Sequence, residues 1–485
     1  MGTVGITGVR SVHPEYEEHE ELWERCEDVA EGGTGKLREK CKEYLPRYYE
    51  EEEEAYKARV KRTLLTNFTW RTIVGYIGLL QRKPAVITVP KASEPMLEDV
   101  TLSGTPIRML IREALEEVLI TGRAGLWVNY PDAAAMGATT AADAQRMGLR
   151  PSITMYDADD IDNWAERMVG NAKVLSMVKI KGERKVQVDE FTFKEETVYK
   201  VLDLVDMPDG SLVYRTRDMM YDSEKEVDVT LATSIPLMGG KPLDYIPFYF
   251  LGPDDTEPCV SMPPFMDLVD LNLTHWEMTS MMLNGCYYSG IPQAWISGYT
   301  PAETEKLRLG GTAWIFPAVG AKANLLEVGN AGFPALEKIL DRLEHQAVVI
   351  GTRALEVQKP GGTEAVSTAM VHLAAEHSML DSMGQAVSDG FTKAMKVYVA
   401  WLGLDNSDTK VMLNSDYFNT PLTAAERDSI VKGWQAGAIS DEAKFDRLKQ
   451  GGDFSPEVTF EMEQQRIAES TGLESTKQPT VVAAP

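Results

Sequence analysis

Positive charge is what this chain is short of. Lys and Arg number 49 against 74 Asp and Glu, a formal net charge of −25. Such a surface repels phosphates, which argues against a regulator held to DNA by bulk electrostatics. Cysteine is scarce too. Cys26, Cys41, Cys259 and Cys286 form no CxxC pair and no regular spacing, so neither a zinc site nor a disulfide framework is indicated, and the four are expected as reduced thiols in a cytosolic setting. No stretch of about 18 apolar residues exists; the best, 335–350, is broken by Glu337, Lys338, Asp341, Arg342 and Glu344. Residues 1–10 lack the basic-then-apolar build of a signal peptide, and Ile6 stands where a myristoylation signal needs Ser or Thr. The expectation is a soluble protein without membrane or lipid anchor.

What is present suffices for a large core. The 485 residues are 44% hydrophobic and 25% charged, a globular mix, and a length of this kind corresponds to about three substructures. Residues 15–54 are dense in Glu, and Glu53 precedes Lys57 by one helical turn, which reads as a solvated helix face. Trp70, Ile73, Val74, Ile77 and Leu80 keep helical spacing until Pro84. Thr105 as N-cap, Pro106 at the first position and Gly122 as C-terminal cap frame another helix. From residue 125 to 251 the period shifts toward two, giving strands over 126–130, 174–181, 186–193, 198–205 and 212–217, with Asp209-Gly210 as a hairpin turn. Ala- and Met-rich 133–148 reads as an exposed insertion.

Helical spacing returns over 264–288, where Phe265, Leu268, Val269, Leu273, Trp276 and Met281 stand among few charges. A helix apolar on more than one face is covered on several sides, within a core or between copies of one chain. A small α/β excursion follows over 291–329, with strands at 293–297, 312–316 and 325–328 around a helix at 301–309. Another amphipathic helix spans 335–350. Lys359-Pro360-Gly361-Gly362 breaks any helix and reads as a loop. A long helix is expected over 369–402, two short ones over 423–435 and 441–450 with Ser440 as cap, and a disordered tail from about 471.

Enzyme chemistry finds little support. Gly32-Gly33-Thr34-Gly35-Lys36 resembles the end of a phosphate-binding loop, but Leu37 replaces the magnesium-binding hydroxyl, Ala30 occupies the first glycine position and no strand precedes it. His372, Glu376 and His377 lack the H-E-x-x-H order of a metalloprotease. Asp157, Asp159, Asp160 and Asp162 lack the glycine of a calcium loop, and Ile161 sits where a ligand belongs. No G-x-S-x-G elbow appears. The expectation is a non-enzyme with no cofactor and no metal.

The order of an apolar helix, an α/β excursion, a second helix, a Gly-rich loop and a long helix resembles the portal proteins of tailed bacteriophages. Local stretches agree. Asn284-Gly285 with Gly290-Ile291-Pro292-Gln293-Ala294-Trp295 looks like the family's stem-to-clip turn, and Pro301-Ala302-Glu303-Thr304-Glu305-Lys306-Leu307 like its clip helix. Gly362-Thr363-Glu364-Ala365 is similar to a tunnel-loop exit, and Gly437-Ala438-Ile439-Ser440-Asp441-Glu442 to a C-terminal run of one branch. Arg71-Thr72-Ile73-Val74 through Lys83-Pro84 and Asp160-Ile161-Asp162-Asn163-Trp164 extend the likeness into the amino-terminal half.

The resemblance implies an α+β portal fold of a compact branch. Its expected parts are a helical wing segment (1–122), a β-rich wing segment (123–260), a first stem helix (261–290), the clip (291–329), a second stem or tunnel helix (330–354), a tunnel loop (355–368), a long helix (369–410), a small helical crown (411–470) and the tail (471–485). It also implies a dodecameric ring at one capsid vertex, the conduit for double-stranded DNA in packaging and ejection, in the virion and, during assembly, in host cytoplasm. Implied partners are further copies of the chain, the terminase large subunit, major capsid and scaffolding proteins, a head-tail adaptor and transient DNA, with no membrane. A twelve-membered ring would carry a formal charge of about −300, suited to DNA that passes without sticking. On this pattern Glu337, Asp341 and Glu344 line the tunnel, Gln358, Lys359, Gly361, Gly362 and Glu364 form the DNA-facing loop, and Trp295, Glu303, Lys306 and Arg308 belong to the clip interface. Lys359 is the only Lys or Arg between Arg353 and Lys393, which makes it the best candidate for touching phosphate. The alternatives are another capsid or tail structural protein, a nucleotide- or metal-dependent nucleic-acid enzyme, and a DNA-binding regulator built on the two short C-terminal helices.

Overall fold

The computed structural model describes residues 8–32, 36–131, 136–137, 143, 146–290, 293–297, 322–326, 332–351, 366–415, 424–450, 453–454 and 458–474. The chain divides into two compact units, Met1–Ser415 and Asp416–Pro485. Helix and sheet both contribute, as an α+β class requires.

In the first unit α1 (Pro14–Glu31) starts where His13 Nδ1 accepts from the Glu15 amide and Pro14 fills the first position. Tyr16, Trp23, Cys26, Val29 and Ala30 are buried along it, so the Glu-rich segment is core on one face and solvated only on the other. Two four-residue turns, Lys36–Glu39 and Cys41–Tyr44, lead to α2 (Glu53–Arg62), and Asn67 caps α3 (Phe68–Leu80). Helix α4 (Ile107–Thr121) buries Ile107, Leu110, Ile111, Ala114, Leu115, Val118 and Leu119. Its start corrects the sequence reading: Pro106, not Thr105, holds the cap position, with no side-chain bond. Gly122 closes it at φ 79, as expected, and a Cβ there would come within 3.0 Å of the Met262 carbonyl oxygen.

Strand β1 (Val86–Thr88) pairs with β14 (Lys410–Met412), tying the amino-terminal third to the far end of the unit. Strand β2 (Ala124–Asn129) lies between β3 (Ser152–Tyr156) and β11 (Phe248–Leu251). An antiparallel meander runs β4 (Asn163–Val169), β5 (Ala172–Gln187), β6 (Phe193–Asp206), β7 (Leu212–Asp222) and β8 (Val227–Ser234), followed by the small hairpin of β9 (Leu237–Met238) and β10 (Lys241–Pro242). Both larger sheets share a core that includes Trp127, Trp164, Ile180, Leu202, Tyr214, Phe248 and Phe250. The turn at Asp209-Gly210 joins β6 to β7, as read. The separate strands expected over 174–181 and 186–193 are instead one strand, β5, a turn and the start of β6. Beyond Lys179 and Tyr199 these two strands pair only with each other, forming a ribbon with Val188, Phe191 and Phe193 exposed at its tip.

Helix α5 (Met266–Ser289) leads to β12 (Gln293–Ser297), which pairs with β13 (Lys322–Leu326). Helix α6 (Phe333–Gly351) returns beside α5. Both helices fall within the spans 261–290 and 330–354 expected from the sequence. Strand β12 falls on the expected residues, whereas β13 begins three residues before the expected 325. Helix α7 (Val366–Trp401) starts inside the segment read as loop to residue 368 and buries Leu380, Met383, Val387, Phe391, Met395 and Val399. Among the described residues of the second unit are α8 (Ala424–Gln435), α9 (Asp441–Gln450) and α10 (Phe460–Glu474). Phe445 is buried there, its ring 4.8 Å from Phe454 and 5.7 Å from Phe460. Helix α10 runs through residues 471–474, which were expected in the disordered tail, and β14 opens the span expected to be wholly helical crown.

Candidate assembly and conduit site

The residues singled out by the sequence centre on the hairpin of α5 and α6. Its upper half is built into the body through polar anchors as well as apolar ones. Asn272 Oδ1 accepts from the Phe68 and Thr69 amides, at 2.8 and 3.2 Å, while its Nδ2 donates to the Thr66 carbonyl. One buried amide thus satisfies donors left open at the start of α3. Trp276 is fully buried among residues of α1 and α2. His275 Nε2 stands 3.5 Å from Glu344 Oε1 on α6, and the Phe68 ring meets its imidazole edge-on at 5.0 Å. Burial lowers the His275 pKa from 6.5 against the pull of Glu344.

Farther along α5 the Ser280 hydroxyl accepts from Arg59 Nη1 at 3.0 Å, and beyond it Arg62 Nη2 donates to Asn284 Oδ1 at 3.3 Å and lies over the Tyr287 ring. Arg59, 1% exposed, places Nε and Nη2 on the Glu51 carboxylate at 2.8 Å each and Nη2 on the Pro46 carbonyl. The fork geometry pays for burying both charges. It also holds Glu51 below the usual carboxylate range, against its partial burial.

Beyond Ser280 none of the α5 side chains is buried. Met281, Leu283, Tyr287 and Tyr288 are exposed, as are Ile339 and Ile350 on α6. Leu336, Leu340, Leu343 and Ala347 recur along the side of α6 toward α5, the first three half-buried and Ala347 buried. Apolar surface left uncovered along a pair of helices is a feature of surfaces that meet a partner.

Of the residues expected to line a tunnel, Glu337, Asp341 and Glu344 lie along one flank of α6 and are exposed, with Glu344 also engaged by His275. Trp295 lies in β12 opposite Asn324. Glu303, Lys306 and Arg308 of the expected clip lie outside the described residues. So do Gln358, Lys359, Gly361, Gly362 and Glu364 of the expected loop.

Other motifs resolve differently. Gly32 caps the C-terminus of α1 at φ 84, so a helix rather than a strand precedes the glycine cluster, contrary to a phosphate-binding loop. The aspartate run does gather: carboxylate oxygens of Asp157, Asp159 and Asp160 lie within 4.8 Å of one another, and burial with the neighbouring Asp159 and Asp157 raises Asp160 to about 7. Asp162 turns away to a buried pair with Lys179 at 3.0 Å. Sequence reasoning missed the Arg59–Glu51 anchor, although Tyr56, Arg59, Val60 and Thr63 form one helical face on which Arg59 is the anomaly.

Residues 264–402 match a family model described as a domain of unknown function, DUF4055. No curated protein matches the sequence. Among solved structures, a chain in the neck of an empty GTA particle computed with C6 symmetry is 11% identical, with a TM-score of 0.40, over 84% of this chain and 96% of that one. A chain in the neck of a native GTA particle computed with C12 symmetry is 11% identical, with a TM-score of 0.35, over 79% and 89%. At this identity the likenesses assign no residue roles. The chain is similar to components of particle necks, and its helical hairpin, strands β12 and β13 and the whole of α7 lie within the matched family segment.

Proposed function

We propose that this chain is a portal-type head-to-tail connector subunit that assembles into a ring of about twelve copies around a DNA channel. The observation that carries the proposal is the α5–α6 hairpin, held to the body by Asn272, Trp276 and Ser280, exposing Met281, Leu283, Tyr288 and Ile339 with only Arg62 reaching Asn284 and Tyr287, and ending in the small antiparallel pair β12–β13. A neighbouring copy would cover the apolar side chains that a lone subunit leaves in water. The net charge of −25 suits a conduit that DNA crosses without being held. In this proposal the clip region docks terminase during packaging and an adaptor afterward, and the loop around Lys359 touches passing phosphates.

Electron-microscope class averages of the purified full-length protein test the assembly. Rings with a central channel and about twelvefold symmetry are expected, and a chain that stays monomeric at high concentration would refute them. Deleting residues 360–362 should leave rings intact while lowering the yield of packaged DNA; unchanged yield would remove the loop from the mechanism.

A further inference from the structure

The loop between Cys41–Tyr44 and α2 is held more firmly than a surface loop requires. The buried Arg59 grips both its ends through Pro46 and Glu51 and lies 3.9 Å from the Tyr48 ring. Arg47 bonds the Glu51 carbonyl and the Glu53 carboxylate. At the tip Glu50 adopts φ 56, a left-handed conformation that costs a residue with a Cβ about 1–2 kcal/mol. Tyr49 beside it is 92% exposed. A buried ion pair and a strained residue thus hold an aromatic ring out in water, a combination that marks recognition rather than packing. The tip is acidic. Glu50, Glu52 and Glu54 are exposed, and among the described residues only Glu54 of these has an ion-pair partner, Lys57.

The complementary surface is on α6. Lys338, Arg342 and His345 follow one another at helical spacing on the side away from α5 and are exposed, next to Ile339 at 43%. Among the described residues neither Lys338 nor Arg342 has an ion-pair partner. The two surfaces also share a height. His275 opposite Glu344, and Gly285 against the Phe333 ring, fix the antiparallel register of the hairpin. Midway between these levels lie Ser280 on α5 and Lys338 with Ile339 on α6. Ser280 is where Arg59 ties the Tyr49 loop to the hairpin.

We infer that the Tyr49 loop of one subunit docks on the Lys338–Arg342 stripe of the next copy, with Tyr49 covering Ile339 and Glu50 and Glu52 pairing with the two cations. The inference rests on the ring proposed above, because equal heights meet only when copies are related by rotation about an axis along the hairpin. The contact is head-to-tail, each copy giving its loop to one neighbour and its stripe to the other.

Full-length protein carrying Glu50→Lys with Glu52→Lys, Lys338→Glu with Arg342→Glu, or all four changes distinguishes the outcomes by sedimentation and negative-stain imaging. All four positions are exposed, and melting curves are to be measured to check that each variant folds. Either pair of reversals should abolish rings at moderate salt, and the fourfold variant should regain them. Tyr49→Ala should raise the concentration for half-assembly by about tenfold or more. Rings that survive both paired reversals, or a fourfold variant no better than either pair, overturn the contact while leaving the ring standing. A wild-type chain that never assembles overturns both.

Discussion

His275 on α5 and Glu344 on α6 meet at 3.5 Å across the helical hairpin, one almost wholly buried and the other 56% exposed. The pair links the two helices of the hairpin, so its protonation state bears on how firmly α6 is held. Burial lowers the His275 pKa below 6.5, so the folded state prefers the neutral ring. The unfolded chain then binds the extra proton first, and this contribution to stability is complete above 6.5 and lost as pH falls through the lowered folded value. Denaturant midpoints measured through this window should fall with pH in the wild type and flatten in His275→Gln. Parallel profiles would show that another group titrates.

Arg59 and Glu51 should behave as one unit. Arg59→Met leaves a carboxylate buried without its partner and should cost about 3–5 kcal/mol, read from chemical denaturation. Adding Glu51→Gln should recover part of that loss. Because the folded Glu51 is held below 4.5, its contribution is present above that pH and fades as pH falls through the folded value. An Arg59→Met loss that does not shrink under acid would contradict the assignment.

Asp160 carries the opposite sign. Its carboxyl is raised to about 7, so its contribution is complete below 3.8 and lost as pH rises through about 7. Asp160→Asn should therefore raise the melting temperature at pH 8, with the gain disappearing below pH 4. A gain independent of pH would point to something other than charge.

Two glycines make a controlled comparison in one sheet system. A Cβ at Gly125 would lie 2.3 Å from the Phe248 ring, whereas at Gly182 the nearest atom is the Val198 carbonyl oxygen at 3.8 Å. Gly125→Ala should destabilise by about 1–3 kcal/mol through overpacking, and Gly182→Ala should be neutral or slightly stabilising. Equal effects in thermal unfolding would mean that the core around Phe248 yields more easily than its packing implies.

Legibility followed burial pattern. Helix α4, β12 and α9 stand close to where apolar spacing and capping residues put them, because each has one clear inner face or a terminal signal such as Gly122 or Ser440. Strand β5 was read as two because Gly182-Glu183-Arg184-Lys185 has no apolar alternation, and a ribbon wet on both faces needs none. Strands β3, β4 and β8 were missed because each is short or carries charge among its apolar residues. The acidic opening of the chain looked uniformly solvated, yet tertiary packing selects Tyr16, Trp23, Tyr56 and Arg59 from it, and charge counts do not reveal which member of a Glu and Arg run turns inward. Of the candidate site, the two hairpin helices α5 and α6 are legible from the sequence. Their anchors at Asn272, His275 and Ser280 were not, since a single polar residue on an apolar helix carries no mark of its partner.

The ribbon formed by the ends of β5 and β6 gives this fold an adjustable dimension. Its rungs from Gly182 with Val198 to Gln187 with Phe193 pair only with one another, and each residue spans about 3.3 Å. Opposed residues can be inserted or removed two per strand without changing which side chains face the core. Reach from the body is thus uncoupled from stability, and the aromatic tip at Phe191 and Phe193 can be carried outward or drawn in while the sheets beneath keep their register.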